Sequence, residues 1–257
     1  MFDLSVYLWG LAALGVLAAG GWLGSLWLRR VDIVDSLWSL MFLLAGLVYA
    51  QVSGLTSARA CLLLWLVGIW AIRLSVYLSV RCAGHEEDRR YRAMRARYGP
   101  GFHVASLWRV FGLQAVLAWL ISIPLLGAAL GSAPLGPLDY AGALLWAVGF
   151  VFEAGGDWQL ARFKADPANH DRVMDRGLWR YTRHPNYFGD TCMWWGFYLL
   201  ALSAGAWWSF PGPLLMTFLL LRVSGVTLLE RTIGKRRPAY AVYVRRTNAF
   251  LPGPPRP

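Results

Sequence analysis

The chain has 257 residues, of which 57% are hydrophobic and 15% charged, and its mean hydropathy is +0.44. Soluble domains carry about 25% charged residues, so this composition excludes a water-soluble enzyme and predicts a polytopic membrane protein. In so apolar a chain the net charge of +11 marks cytoplasmic loops and anionic headgroups rather than nucleic-acid binding.

Crossing the hydrocarbon takes roughly 20 apolar residues. In chain order such runs cover about 4–28, 33–51, 59–80, 104–130, 138–158, 188–210 and 213–229. They predict an all-α, seven-transmembrane helix bundle in one transmembrane domain spanning 1–257. The first run follows Asp3 rather than a basic segment, which reads as a retained span and not a cleaved signal peptide. Bases fall in alternate gaps: Arg29 and Arg30, the stretch from Arg81 to Arg109, that from Arg162 to Arg183, and everything from Arg231 onward. The positive-inside rule then puts the N-terminus outside and the C-terminus in the cytoplasm, with Arg59 alone on the wrong side. Cys61, Cys82 and Cys192 have no paired spacing, so neither a disulfide framework nor a metal site is indicated.

Ionisable residues at membrane depth cost at least about 2.5–3.5 kcal/mol each on insertion scales and so face a partner or a substrate. On the second span Asp32, Asp35 and Trp38 recur every three residues along one face. Acids there either cap the helix or react. Arg73 on the third span, one turn before Tyr77, snorkels or meets a buried acid such as Asp32 or Asp35. The segment His85 to Tyr98, HEEDRRYRAMRARY, reads as a short interfacial helix, an ordered loop or a solvated basic collar. Glu153 and Asp157, one turn apart on the fifth span, make an inward acidic stripe for which Arg222 is a candidate ion-pair partner.

The densest motif runs from Asp175 to Asp190, DRGLWRYTRHPNYFGD. Pro185 suits the first turn of a helix. The open amides there, with Arg180, Arg183 and His184 just ahead, make an anion site suited to phosphate. Asn186, Asp190 and Trp194, four residues apart, line up an amide, a carboxylate and an indole for a carboxamide ring and a ribose. Lys164 and Arg172, just upstream, are placed to reach the 2′-phosphate of NADPH. Past the last span, Arg231, Lys235, Arg236, Tyr240, Tyr243 and Arg245 either close over an adenine or form a lipid-headgroup patch. No GxGxxG opens a βαβ unit, so a soluble dinucleotide fold is excluded.

The run RHPNYFGD from Arg183 to Asp190, with GLWRYT before it, two tryptophans after it, Glu230-Arg231 and the tail from Tyr240 to Pro252, resembles the steroid 5α-reductase family of membrane NADPH-dependent reductases, in particular a bacterial branch. The likeness is strong over 153–252 and weak before. It implies that this C-terminal half holds NADPH, with Asp157, Lys164, Arg172, Asn186, Asp190 and Tyr243 at matching motif positions. Tyr181, Arg183, His184, Tyr187, Trp194 and Tyr240 are expected on the same cofactor surface. The N-terminal half departs. Eukaryotic members carry a Gln-Glu pair on the second span and a substrate-contacting Tyr on the third, where this chain has Asp32, Asp35 and Trp38, then Trp70, Arg73 and Tyr77.

The resemblance implies hydride transfer from NADPH to the β-carbon of an α,β-unsaturated ketone in an apolar, steroid-like substrate. Tyr77 or a protonated Asp35 would donate to the carbonyl oxygen. Arg73 would order Asp32 and Asp35, and Trp38 and Trp70 would contact substrate. The expected setting is a bacterial inner membrane, with the cofactor site facing the cytoplasm, membrane lipids as neighbours, and no metal, nucleic acid or obligate protein partner. Membrane methyltransferases of the isoprenylcysteine and phospholipid type share RHPxYxG and bind S-adenosylmethionine, which needs no 2′-phosphate clamp. A non-enzymatic lipid-binding bundle is the third reading.

Overall fold

Asp3 accepts hydrogen bonds from the amides of Ser5 (3.0 Å) and Val6 (3.1 Å), and this cap starts helix α1, Leu4–Leu28. The computed structural model describes residues 2–52, 54, 57–223 and 240–256, and no strand occurs among them. After α1 come α2 (Ile33–Val52), α3 (Ala58–Cys82) and α4 (Arg89–Tyr98). A tight turn at Gly99–Gly101 leads into α5 (Phe102–Ser106), a π-helical turn (Leu107–Gly112), α6 (Leu113–Ile121) and α7 (Ile123–Ala129). Then follow α8 (Pro137–Ala165), α9 (Pro185–Ser203), α10 (Pro211–Phe218) with a π-helical turn (Leu219–Val223), and α11 (Tyr240–Arg246).

Among the described residues, five helical stretches are long and apolar enough to cross a membrane: Leu4–Leu28, Ile33–Val52, Ala58–Cys82, Arg89–Ile121 and Pro137–Ala165. The fourth begins well before the expected residue 104, because the charged segment ahead of it is helical too and joins the apolar run through the turn at Gly99–Gly101. Its expected end at 130 is reached through a break at Ser122, where α6 gives way to α7 with Pro124 in its first turn. The expected sixth run corresponds to α9, whose polar first half leaves it outside that apolar set. Of the expected seventh, residues 213–223 are described. Arg231, Lys235 and Arg236 lie outside the described residues.

The chain packs as two units, Met1–Asp139 with Leu200–Gly212, and Tyr140–Leu199 with Pro213–Pro257. In the first, α2 packs on both α1 and α3, and α6 packs on α1 and α2. Phe42, Tyr49, Trp70, Phe111 and Leu14 are fully enclosed in this unit. Two polar devices let it hold charge and broken backbone in an apolar setting. At the Ser122 break, the Trp119 carbonyl accepts from the hydroxyls of Ser122 (2.8 Å) and Tyr7 (3.0 Å), and Tyr49 shares a hydrogen bond with Ser122 (2.8 Å). Unbonded backbone at this depth would cost several kcal/mol per group.

The second device explains Arg59, the base on the wrong side. Its guanidinium, 1% exposed, grips the wholly buried Asp139 in a two-pronged pair, Nε to Oδ1 at 2.7 Å and Nη2 to Oδ2 at 2.9 Å. The remaining hydrogens go to the carbonyls of Ala133 and Pro134 and to Ser203, while Asp139 also accepts from Ser203 and the Gly136 amide. The charge is therefore internal and neutralised where it lies.

In the second unit, α8 and α9 meet along a glycine seam. Gly142, Gly149 and Gly156 repeat every seven residues on α8, as do Gly189 and Gly196 on α9. A Cβ at Gly189 would strike the Gly149 carbonyl, one at Gly149 would strike the Gly189 carbonyl, and one at Gly196 would come within 2.7 Å of the Gly142 carbonyl. Backbones this close are the usual reward of small residues between membrane helices. The seam sets Glu153 and Asp157 beside the start of α9.

Candidate functional site

Within the second unit, α9 starts where the proline predicts, at Pro185. Ahead of it Thr182 is wholly buried, its Oγ1 accepting the His184 amide (3.2 Å) and donating to the Phe250 carbonyl (2.8 Å). The preceding turn is fixed against α8: Trp179 Nε1 donates to the Gly156 carbonyl (3.0 Å), and the Leu178 amide donates to Gln159 (2.9 Å). Gly177 has φ +58°, and a Cβ there would also strike the Gln159 side chain, so glycine is required on both counts.

The C-terminal tail clasps this motif. Arg183 is buried, and its Nη1 donates to the carbonyls of Val244 (3.0 Å) and Thr247 (2.6 Å), while its amide donates to the Asn248 carbonyl (2.9 Å). The Tyr243 hydroxyl donates to the Trp179 carbonyl, and the Gly253 amide donates to that of Tyr181 (3.0 Å). Arg183 thus satisfies carbonyls at the end of α11, a position where a cation also complements the helix dipole.

The clasp walls a cleft of about 940 Å³, whose lining includes Arg172, Arg176 and Arg180 from one stretch and Arg246 and Arg256 from the tail. Asn169, Asp171, Asp175, Tyr243 and Thr247 complete its polar groups. Five guanidinium groups against two carboxylates leave a net positive lining. Arg172, Arg176, Arg180, Arg246 and Arg256 are all exposed, as a site open to a soluble ligand requires.

Of the other expected cofactor residues, Asp157 is buried and accepts a long hydrogen bond from Asn186 Nδ2 (3.4 Å). His184 is buried and stacks on Tyr187 with ring centroids 5.4 Å apart. Asp190 is half-buried, and Trp194 is fully buried, edge-on to Phe197 at 5.5 Å. Tyr240 and Tyr243 are buried with their rings 5.6 Å apart, whereas Lys164 and Tyr181 are exposed. Arg222 is exposed and makes no ion pair with Glu153 or Asp157, which corrects that expected pairing. Sequence reasoning missed Arg176, Arg246 and Arg256 as lining groups. The DRG turn and the paired arginines before Thr247 were visible, but their convergence was not.

The expected catalytic residues lie in the first unit. Asp32, 2% exposed, accepts two hydrogen bonds from Arg30 (3.1 and 2.9 Å) and one from the Asp88 amide (3.1 Å). Asp35 accepts from the Tyr91 hydroxyl (2.7 Å) and from Arg90 (2.8 Å). The partners of the two acids are therefore Arg30 and Arg90, and Arg73 is not one of them. Its guanidinium carbon lies 5.9 Å from the Tyr77 ring centroid, with that of Arg81 at 5.7 Å. Trp38 meets Phe42 edge-on (5.0 Å) and Phe42 meets Trp70 (5.7 Å), so the two expected substrate tryptophans bracket one buried ring. The segment after α3 is ordered by these acids. Asp88 caps α4, and Glu87 accepts from the Val31 amide (2.7 Å) and from Arg95 (2.9 Å). Burial pushes the Asp88 carboxyl up, but hydrogen bonds from the Arg90 side chain and amide outweigh it and hold the group below its ordinary value.

Comparison with known proteins gives two matches. The pattern of the family described as "Protein of unknown function (DUF1295)" matches residues 21–247. An uncharacterized protein of Schizosaccharomyces pombe is 26% identical over 271 residues, covering 90% of this chain and 75% of the relative. No solved structure matches.

Proposed function

The chain belongs to the DUF1295 family, which includes steroid 5α-reductase-like proteins, and from that premise we propose that it is an NADPH-dependent membrane reductase of the C=C bond of an apolar, steroid-like enone. The observation that carries this reading is the arginine-rich cleft of the second unit. NADPH presents a pyrophosphate and a 2′-phosphate, and guanidinium groups from two separate chain segments suit phosphates at two separate points. The carboxylates of Asp171 and Asp175 supply acceptors for ribose hydroxyls. When bound, NADPH supplies the hydride.

The chain's own part is to hold charge where it develops. Hydride arrival at the β-carbon puts negative charge on the carbonyl oxygen, and a positioned donor there is worth about 3–4 kcal/mol. Both oxygens of Asp35 are already engaged by Tyr91 and Arg90, which leaves Tyr77 the better donor of the two expected. Asp35 then orders Tyr91 and Arg90 beside it. The same reading takes seven spans in a bacterial inner membrane, the N-terminus outside and the cleft facing the cytoplasm.

The test is equilibrium binding of NADPH, NADH and S-adenosylmethionine to the purified full chain, followed by NADPH oxidation with a panel of apolar enones. NADPH should bind best, and Arg176→Gln with Arg246→Gln should weaken it about tenfold or more, as loss of charge-assisted hydrogen bonds predicts. Tyr77→Phe should lower turnover and leave NADPH affinity unchanged. Binding of S-adenosylmethionine without NADPH would overturn the proposal in favour of a methyltransferase.

A further inference from the structure

The arginines of α4 are not equivalent. Arg90 is paired with Asp35 and Asp88, Arg92 with Glu86, and Arg95 with Glu87. Arg97 and Arg109 have no carboxylate partner among the described residues. Instead, both guanidinium groups gather at one ring, that of Tyr98, with their central carbons 5.8 Å and 5.2 Å from its centroid. On a straight α-helix residues 97 and 109 would sit about 18 Å apart along the axis. Gly99, at φ +54°, ends α4 and turns the chain through Pro100 and Gly101, and this bend brings the two together.

Two like charges at one half-buried ring repel each other, and cation–π attraction only partly offsets this. An anion between them would complete the arrangement. Its setting says which kind. Immediately beyond Arg109 the chain enters the apolar run, with Trp108 70% exposed beside it, as interfacial tryptophans are. Leu113, Val116 and Leu120 then continue at helical spacing from Arg109, all exposed. Basic groups at headgroup depth thus stand over an apolar track.

We propose that Arg97, Tyr98 and Arg109 form a binding site for the phosphate of an anionic phospholipid, whose acyl chain lies along Leu113, Val116 and Leu120. The ring keeps the two guanidinium groups together in the absence of lipid, so the site is prepared for the headgroup. Retention of phosphatidylglycerol against phosphatidylcholine, read by native mass spectrometry of the full chain released from mixed nanodiscs, tests this. Phosphatidylglycerol should be preferred, by about fivefold for each arginine that engages it.

Arg97→Gln and Arg109→Gln should each remove about fivefold of that preference, and Tyr98→Leu should weaken it with the charges kept. Arg89→Gln removes an exposed α4 charge that also lacks a partner among the described residues and should leave the preference intact. The three arginines are exposed and Tyr98 is half-buried, and a monodisperse elution profile checks folding of each variant. An equal loss in Arg89→Gln would reduce the site to diffuse surface charge and overturn the proposal. So would equal retention of the two lipids by the unaltered chain, or displacement of phosphatidylglycerol by millimolar glycerol phosphate, which shares the phosphate but has no acyl chain.

Discussion

Removing either member of the Arg59–Asp139 pair should be the most damaging single substitution in the first unit. Both side chains are all but fully enclosed, and the pair is two-pronged. Breaking a buried ion pair leaves an uncompensated charge at a cost of about 3–5 kcal/mol. Asp139→Ala strands a guanidinium with only two carbonyls and Ser203 for company, whereas Arg59→Met leaves a carboxylate that still accepts from Ser203 and the Gly136 amide. Asp139→Ala should therefore be the worse of the two. For a domain of this size the loss corresponds to a fall in Tm of about 6–20 °C. Heating the detergent-solubilised protein and following the monodisperse fraction by size-exclusion chromatography measures it. The double variant should lose less than the sum of the singles, by at least about 1 kcal/mol, because the second change removes the orphaned charge. Single losses below about 1 kcal/mol, or strict additivity, would refute the argument.

Three further outcomes are expected. Gly189→Ala should cost about 1–3 kcal/mol through overpacking of the α8–α9 seam, while Gly15→Ala, with nothing within 4 Å of its Cβ position, should not destabilise; parallel thermal melts compare them. Tyr243→Phe deletes the hydrogen bond to the Trp179 carbonyl, so about 1 kcal/mol of stability should go, and NADPH affinity should fall with the slackened clasp, both readable in one titration series. Asp88 has a lowered folded-state pKa, so its contribution is present above the unfolded carboxylate value of about 3.9 and is lost as pH falls through the folded value. Hydrogen exchange of the α4 amides, corrected for intrinsic rate, should accordingly stay slow at pH 5 and rise below about pH 4; a rise already at pH 6 would contradict this.

Hydropathy is a property of neighbouring residues, so the first three apolar runs and the fifth lie within a few residues of α1, α2, α3 and the apolar part of α8. The start of α9 at Pro185 was equally legible, since a proline with no amide to lose favours one helical position. What the sequence by itself determined, then, was a helical membrane chain, with no strand among the described residues, and the place of its densest polar motif. Pairing between distant residues was not legible, because charge complementarity has no fixed spacing along a chain. Asp35 went to Arg90 rather than to Arg73, a choice that only the placing of the start of α4 beside α2 made, whereas Asp32 found Arg30 two residues away. Arg59 read as a topological exception until Asp139, eighty residues on, was seen to neutralise it. Arg183 carries the same lesson. Its position beside a helix start was legible, but its hydrogen bonds to the carbonyls of Val244 and Thr247, which hold the tail, were not. The cleft exists because that clasp closes, bringing arginines from 172–180 and 246–256 into one wall, and only the tertiary structure decided it.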